Sequence, residues 1–349
     1  MTAEQAFQET AVRASPAGAS EHINWMYAFL RARQLEGTYP GDVETGTWLT
    51  TAMRVSCGWG AVREADCPRT MLGKTWPPPE PPGLDTKAKA LRIHHYQRVR
   101  SAYECCRVVG HMLPVNAAFE ITDQWFSARN GVIDMPRSEE PIVGSHCVAL
   151  LGFDRLHFGF VFVNSWGKRW GNRGLGLLPL DYFDKYLVSA WASHGIGPLP
   201  NYFKCHGIGT VSWWALDCLG NSLHGGDGVH GREVYDGTND ERIGWTFAVH
   251  REGFLDVEEL FVRPQYRGHG HGSQLVEMLL ELAAKLKRPL RLWVPFADWT
   301  PSNLAVVERI VKKLGLRLFH ADVRWAAAMA LDPSTFPLPH PMEVECHET

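Results

Sequence analysis

Residues 255–286 read LDVEELFVRPQYRGHGHGSQLVEMLLELAAKL, and this stretch decides the fold of the second half of the chain. Its first part, Val257–Val262, is predicted to form a strand. Further on, apolar residues recur at the spacing of one helix face, which predicts a helix from about Ser273. The leucines of that face are Leu275, Leu279, Leu282 and Leu286. A loop with three glycines, RGHGHG at 267–272, joins the strand to the helix.

The chemistry of this loop points to phosphate. Glycines in alternate positions let the backbone turn tightly and leave its N–H groups uncovered by side chains. Together with the positive end of the following helix, these groups form a pocket for phosphate oxygens. A dinucleotide-binding loop requires Gly-x-Gly-x-x-Gly and an acidic residue about 20 positions later, and this loop does not have that register. A plain tight turn into a helix is the simpler alternative.

The spacing Arg-x-x-Gly-x-Gly, preceded by LFVRPQY, resembles the acetyl-CoA signature of the GNAT N-acetyltransferase superfamily. The resemblance implies that the strand before the loop splays from its neighbour, and that backbone donors at Leu260, Phe261 and Val262 hold the acetyl carbonyl and the pantetheine arm. It also implies that Asn303 begins a second cofactor helix, on which Val311 replaces a common tyrosine acid. The residues expected around the pyrophosphate are Arg267, Gly268, His269, Gly270, His271, Gly272 and Ser273.

Acetyl transfer also needs a base, because the attacking amine must lose a proton, and a carboxylate on the same strand is the usual candidate. Simple strand alternation puts Asp256 and Glu258 on one face and Glu259 on the other. We favour Glu259, because Leu260 and Val262 lie on the opposite face from it and are typical of core. Glu258 is the second candidate, and solvated surface carboxylates remain the alternative.

In the first half of the chain, the apolar runs 147–153 and 158–163 flank the turn residues 154–157, a pattern that predicts a hairpin. A turn centred near Arg155 places His146 directly opposite Asn164. Directly opposed residues have Cβ atoms about 5 Å apart. An asparagine amide at that distance can hydrogen-bond the imidazole and fix its tautomer.

His146 and the block NSWGKRWGNRG at 164–174 resemble the histidine and asparagine blocks of papain-like cysteine peptidases. The resemblance covers roughly residues 1–190. It implies that the histidine activates a cysteine thiolate, that Asn164 orients the histidine and that Trp166 shields their contact. Ser145 and Cys147 differ from the glycine and the small residue that usually flank the histidine.

The expected nucleophile is missing from this pattern. In the family the cysteine lies about 130–150 residues before the histidine, and no cysteine occurs in that window. The local match to Cys-x-Ala-Phe is EQAF at 4–7, so Glu4 takes the nucleophile's place. Cys57, in a helix predicted at 45–57, is interpreted as structural, and Cys147 points to the other face of its strand. Without a thiolate the thioester route is closed, so no peptidase activity is expected.

Composition limits the remaining possibilities. With 349 residues, 45% of them apolar, the chain is long enough for two domains. A net charge of −3 argues against a nucleic-acid partner, and there is neither a long apolar run nor a signal pattern, so no membrane is expected. Eight cysteines without Cys-x-x-Cys spacing favour a reduced, cytoplasmic protein, and no metal is expected.

The run GIGPLP at 195–200 has linker composition. It predicts a first domain at 1–203 and a second at 204–335, followed by a flexible proline-rich tail at 336–349. The expected fold is α+β, a papain-like cysteine peptidase fold followed by a GNAT α/β acyltransferase fold.

The expected activity is acetyl-CoA-dependent N-acetylation of an amine on a protein, a peptide or a small molecule, next to a papain-like cleft that holds a peptide without cutting it. Two alternatives stay open. In one, both domains only bind, the first a peptide and the second an acyl-CoA. In the other, the chain is a truncated bifunctional cysteine peptidase and acetyltransferase.

Overall fold

A computed structural model describes residues 23–42, 45–67, 76–78, 80–196, 207–216, 228–251, 253–295, 309–310, 312, 317–322 and 326–330. The chain divides into two compact units. The first comprises Met1–Tyr202 with Cys218–Gly220, and the second comprises Phe203–Asp217 with Asn221–Thr349. The boundary predicted at residue 203 and the tail predicted at 336–349 lie outside the described residues.

The described part of the first unit contains two longer helices near its start. Asn24 caps the first of them by accepting a hydrogen bond from Met26 N–H, and Gly37 ends it in the left-handed conformation. The second is buried along its whole length. The helix predicted at 45–57 is confirmed, although it begins at Leu49 and ends at Gly58. The helices of the unit are α1 (Trp25–Glu36), α2 (Leu49–Gly58), α3 (Leu84–Ala88), α4 (Ala102–Gly110) and α5 (Leu180–Tyr186).

Two short strands, β1 (Ile23–Asn24) and β2 (Val62–Arg63), pair near the helices. The main sheet of the unit has six antiparallel strands in the order β3-β8-β4-β5-β6-β7. They are β3 (Ile93–Arg98), β4 (Val115–Ile121), β5 (Gly144–Asp154), β6 (Gly159–Val163), β7 (Leu175–Pro179) and β8 (Leu187–Ile196). The segment VNAAFEI, which forms β4, is largely buried.

Strands β5 and β6 form the predicted hairpin, but the predicted register is wrong. Ala149 lies opposite Val163, so the next step of the ladder would bring Asn164 opposite Val148 and not His146. The reason is the turn, which occupies 155–158 because Phe158 adopts a left-handed backbone conformation, with φ of 48°. The centre of the hairpin therefore lies beyond Arg155.

The second unit is built on a seven-stranded sheet with the order β14-β15-β13-β12-β11-β10-β9. All neighbouring strands are antiparallel except β12 and β13. Helix α6 (His271–Leu286) connects this parallel pair. The strands are β9 (Ile208–Leu216), β10 (Gly228–Asp236), β11 (Glu241–Arg251), β12 (Phe254–Val262), β13 (Leu290–Pro295), β14 (Arg317–Asp322) and β15 (Ala326–Ala330).

The predicted leucine stripe of α6 packs on the sheet. Leu279 and Leu282 lie in one apolar cluster with Leu255 and Val257 of β12. Leu275 lies in a second cluster nearer the start of the helix. The helix begins two residues before the predicted Ser273, because Gly270 in the left-handed conformation already turns the chain into it.

Strand β12 leaves its parallel neighbour partway along its length. Its pairing with β13 covers Leu255–Val257 and then stops, although β12 continues to Val262. On the other side β12 stays paired with β11 up to Val262, with an irregularity at Glu258. The predicted splay of this strand is confirmed. It leaves an open edge, residues 258–262, along which no described strand pairs with β12 on the β13 side.

Candidate functional site

In the first unit, the imidazole of His146 is held by an asparagine side chain. His146 Nε2 lies 2.8 Å from Asn164 Oδ1, and the backbone N–H of Asn164 donates to Gly174 O at 2.9 Å. Because the amide oxygen only accepts, Nε2 carries the proton in this contact. The other ring nitrogen, Nδ1, is then the one available to a reacting group in the neutral imidazole.

Aromatic rings enclose this pair. Trp166 stacks on His146 with ring centroids 4.5 Å apart, and Phe126 also stacks on Trp166, at 4.9 Å. Trp125 meets the imidazole edge-on at 6.1 Å. Trp170 Nε1 donates to Trp125 O at 2.7 Å, which ties the two segments together. The rings keep water from the histidine–asparagine hydrogen bond and so strengthen it.

Sequence reasoning found Trp166 but missed Trp125 and its partner. Trp125 is fully buried, and its Nε1 donates to Tyr182 Oη at 2.8 Å. Tyr182 Oη donates in turn to Glu120 O at 2.8 Å. The only signal was the aromatic pair in QWF at 124–126, which carries no spacing that links it to His146.

Burial lowers the pKa of His146, and the hydrogen bond that the imidazole donates to Asn164 opposes this only in part. The imidazole is therefore neutral at neutral pH. Among the described cysteines, burial raises the pKa of Cys67, Cys105 and Cys106, so their thiols stay protonated. Cys147 follows His146 on β5, where successive side chains point to opposite faces. Glu4, predicted at the nucleophile position, lies outside the described residues.

In the second unit, the backbone of β12 presents donors to the open edge. Arg263 N–H donates to Ile243 O at 2.9 Å, so residues 243 and 263 form a hydrogen-bonded pair of the antiparallel ladder. Such pairs alternate with non-bonded pairs, and the register carries this alternation back along β12. The N–H groups of Leu260 and Val262 therefore point away from β11, into the open edge. The N–H of Phe261, the third predicted donor, points to β11 instead.

The glycine-rich loop follows directly. Gly268 and Gly270 have φ of 84° and 88°, which favour glycine, and a Cβ built on either would meet nothing within 4 Å. No side chain caps the start of α6. The first backbone N–H groups of this 16-residue helix therefore point out of its end without an acceptor from a capping side chain, as an anion site requires.

Side chains of the glycine-rich loop hold it in place next to β12. Arg267 Nε donates to Val262 O at 3.0 Å, and its guanidinium lies 5.7 Å from the centre of the Phe261 ring. His269 Nδ1 contacts Tyr266 O and Arg267 O at 3.3 and 3.1 Å. The loop is thus held against the end of the open edge. Asn303 and Val311 of the predicted second cofactor helix lie outside the described residues.

The carboxylates of β12 do not alternate as predicted. Leu255 and Val257 pack under α6, and so does Leu260. An extra residue, Glu258, sits between them as a bulge. Asp256 and Glu259 therefore share the face away from α6, so their predicted placement on different faces is wrong. The prediction that Glu259 lies opposite Leu260 holds.

Each carboxylate has a different environment. Asp256 accepts two hydrogen bonds from Arg291, at 2.5 and 2.8 Å, and one from Trp293 Nε1 at 3.3 Å. Glu258 Oε1 lies 3.3 Å from Arg251 Nε. Glu259 Oε1 accepts from the backbone N–H of Leu260 at 3.0 Å, and Glu259 is 3% exposed. Glu259 is thus the carboxylate that contacts the open edge itself.

Two general features complete the description. Within the described residues, no group of three or more histidine, cysteine or acidic side chains is arranged to hold a metal ion. In the same part of the chain, no helix has the length and apolar character needed to cross a membrane.

Comparison with known proteins finds a different family in each unit of the chain. Residues 46–181 match the papain family of cysteine proteases, and residues 226–310 match the acetyltransferase (GNAT) family. An uncharacterized peptidase C1-like protein of Acanthamoeba polyphaga mimivirus is 32% identical over 80 residues, which are 22% of this chain and 26% of that protein. The matched part thus spans about a quarter of the length of this curated relative.

Solved structures resemble each half separately. Xylellain, a cysteine protease from Xylella fastidiosa, is 20% identical, with 57% of this chain and 78% of that chain covered and a TM-score of 0.48. A protein assigned as an acyl-CoA N-acyltransferase from Klebsiella pneumoniae is also 20% identical, with 29% and 70% covered and a TM-score of 0.25. On the family matches, the chain joins a papain-like fold to a C-terminal GNAT acetyltransferase-family domain.

Proposed function

We propose that the second unit transfers the acetyl group of acetyl-CoA to an amine. The observation that carries this proposal is the open edge of β12, where Leu260 and Val262 direct their N–H groups away from β11 immediately before the glycine-rich loop. An acyl-CoA laid along this edge puts its thioester carbonyl and pantetheine amides against backbone donors. Its pyrophosphate then meets the N-terminus of α6.

In this mechanism the amine attacks the thioester carbon, and a backbone N–H stabilises the negative charge that develops on the carbonyl oxygen. The new C–N bond forms as the C–S bond breaks. Glu259 takes the proton that the amine loses, because its carboxylate lies at the open edge. The leaving thiolate takes a proton from water. Glu258 is the second candidate for the base, although its carboxylate already faces Arg251.

For the first unit, we infer that the papain-like cleft holds a peptide without cutting it. The His146–Asn164 pair and its Trp166 cover support a cleft with the geometry of the family. The raised pKa values of Cys67, Cys105 and Cys106 are the reverse of what an activated nucleophile needs. The sequence at 4–7 supplies glutamate at the expected cysteine position.

A direct test uses the purified full chain with acetyl-CoA and a panel of amines: a lysine peptide, a peptide with a free N-terminus and a polyamine. Release of CoA thiol is followed with a disulfide reagent. Release that depends on one class of amine supports the proposal and assigns the acceptor class. Tight binding of acetyl-CoA without amine-dependent thiol release would instead favour a domain that only senses acyl-CoA.

A further inference from the structure

The backbone donor nearest the bulge of β12 is already occupied. Leu260 N–H points into the open edge, and there it donates to the carboxylate of the preceding residue, Glu259, at 3.0 Å. The carboxylate is therefore placed where an acceptor oxygen of a ligand at this edge would lie.

The backbone around this contact is fixed by a side chain of the neighbouring strand. Thr246 Oγ1 donates to Glu259 O at 2.6 Å within the buried ladder, which anchors the peptide unit between Glu259 and Leu260. A change of the Glu259 side-chain torsions therefore frees Leu260 N–H without disturbing the strand.

We propose that Glu259 occupies the position of the acyl oxygen in the free enzyme and is displaced by the thioester carbonyl of the incoming acyl-CoA. This inference rests on the acyltransferase function proposed above. A hydrogen bond to a carboxylate is stronger than one to a neutral carbonyl, so Glu259 competes with the acyl group. Its displacement releases the carboxylate at the moment when the acceptor amine needs a base.

The contact between Glu259 and Leu260 N–H thus makes release of the base depend on the binding of acyl-CoA. The base is masked until an acyl group is present, and free CoA, which lacks the thioester carbonyl, does not replace it. Glu259 is the base of the proposed reaction. Before the reaction, it competes with the acyl oxygen for the hydrogen bond from Leu260 N–H. Removing the carboxylate should then have opposite effects on binding and on turnover.

The test compares the affinities of acetyl-CoA and of free CoA by calorimetry, in the unmodified chain and in Glu259→Ala and Glu259→Gln. We expect Glu259→Ala to tighten acetyl-CoA binding about tenfold relative to CoA, while turnover falls. Glu259→Gln, whose amide oxygen is a weaker acceptor, should lie between. The ratio of the two affinities cancels any general effect of the substitution on the cofactor site.

An unchanged ratio in both variants would overturn the inference and leave the acyltransferase proposal intact. Failure of the unmodified chain to bind either ligand would overturn both. A second measurement needs no variant. In the unmodified chain labelled with ¹⁵N-leucine, the amide resonance of Leu260 should move on addition of acetyl-CoA but keep its position with CoA. Equal movement with both ligands would also contradict the displacement.

Discussion

His146 Nε2 and Asn164 Oδ1 lie 2.8 Å apart, although the two residues are not opposite each other in the hairpin that carries them. Asn164 stands just past the end of β6, and its backbone N–H is bound by Gly174 O. Its side chain reaches the imidazole diagonally from there. The functional pair thus depends on the loop after β6 as much as on the hairpin.

This arrangement leads to a prediction about thiol chemistry. If the sequence alignment at residues 4–7 is right, Glu4→Cys puts a thiol beside Nδ1 of His146. That thiol should be alkylated unusually fast at neutral pH, because the imidazole stabilises the thiolate. Iodoacetamide labelling with peptide mass analysis measures the rate. The gain should disappear in Glu4→Cys combined with His146→Ala. Ordinary thiol reactivity in the single variant, or peptidase activity in the unmodified chain, would show that the alignment is wrong.

A second prediction concerns the base. Glu259→Gln should lower kcat by about 10²–10⁴-fold, the usual contribution of a general base, and raising the pH should restore part of the rate as free amine accumulates. Glu258→Gln is the matched comparison, since it removes the neighbouring carboxylate. Steady-state thiol release across a pH series measures both. A larger loss in Glu258→Gln would assign the base to that residue instead.

The third prediction concerns acid stability. Burial lowers the pKa of His230 to about 4 from an ordinary value of 6.5, and nearby His250, Arg232 and Lys285 add to the effect. The unfolded chain therefore binds this proton at a higher pH than the folded chain. The stability that the neutral imidazole contributes is complete above pH 6.5 and is lost as the pH falls from 6.5 towards 4.

Urea unfolding at pH 7 and pH 5 tests this. His230→Asn should reduce the loss of stability between the two pH values. His111→Asn, at an exposed position of the first unit, serves as the substitution control. An unchanged loss in His230→Asn would mean that other groups govern acid unfolding of the second unit.

The fourth prediction concerns a buried ion pair in the part of β12 that is still paired with β13. Asp256 and Arg291 are joined by two hydrogen bonds and are almost fully buried. Asp256→Ala removes a buried carboxylate that Arg291 contacts with two hydrogen bonds, and it should destabilise the unit by about 3–5 kcal/mol. Asp66→Ala, which breaks the more exposed ion pair between Asp66 and Lys87, should cost less than about 1 kcal/mol. The free energy of unfolding of both variants is measured in urea. Equal losses in the two variants would contradict a larger contribution from the buried pair.

Much of the second unit was predictable because its signals are local. The strand, the alternate glycines and the leucine stripe of α6 all occur within 255–286, and the structure reproduces them in that order. The separation of β12 from β13 followed from the family resemblance and was confirmed. The face of each carboxylate was not predictable, because the extra residue at Glu258 changes the alternation without leaving any mark in the sequence.

In the first unit, too, local motifs were predictable and features set by turn conformation and tertiary packing were not. His146 and Asn164 were predicted as partners because their flanking motif is specific, and the structure brings them together. Their register was predicted wrongly, since the backbone conformation of Phe158 decides the length of the turn. Trp125 and Phe126 were missed, because they reach the site through tertiary packing and not through spacing along the chain.

We propose that the loop at 267–273 binds the pyrophosphate of acetyl-CoA, and calorimetry of one glycine variant tests this most directly. Gly270→Asp places a negative charge at the mouth of the site, on a residue with φ of 88°. Gly253→Asp is a closely matched control, because Gly253 has φ of 86°, equally free space around it and a position at the other end of β12. We expect acetyl-CoA binding to be lost in Gly270→Asp and retained in Gly253→Asp. Unchanged affinity in Gly270→Asp, or equal loss in both variants, would contradict the assignment of the site.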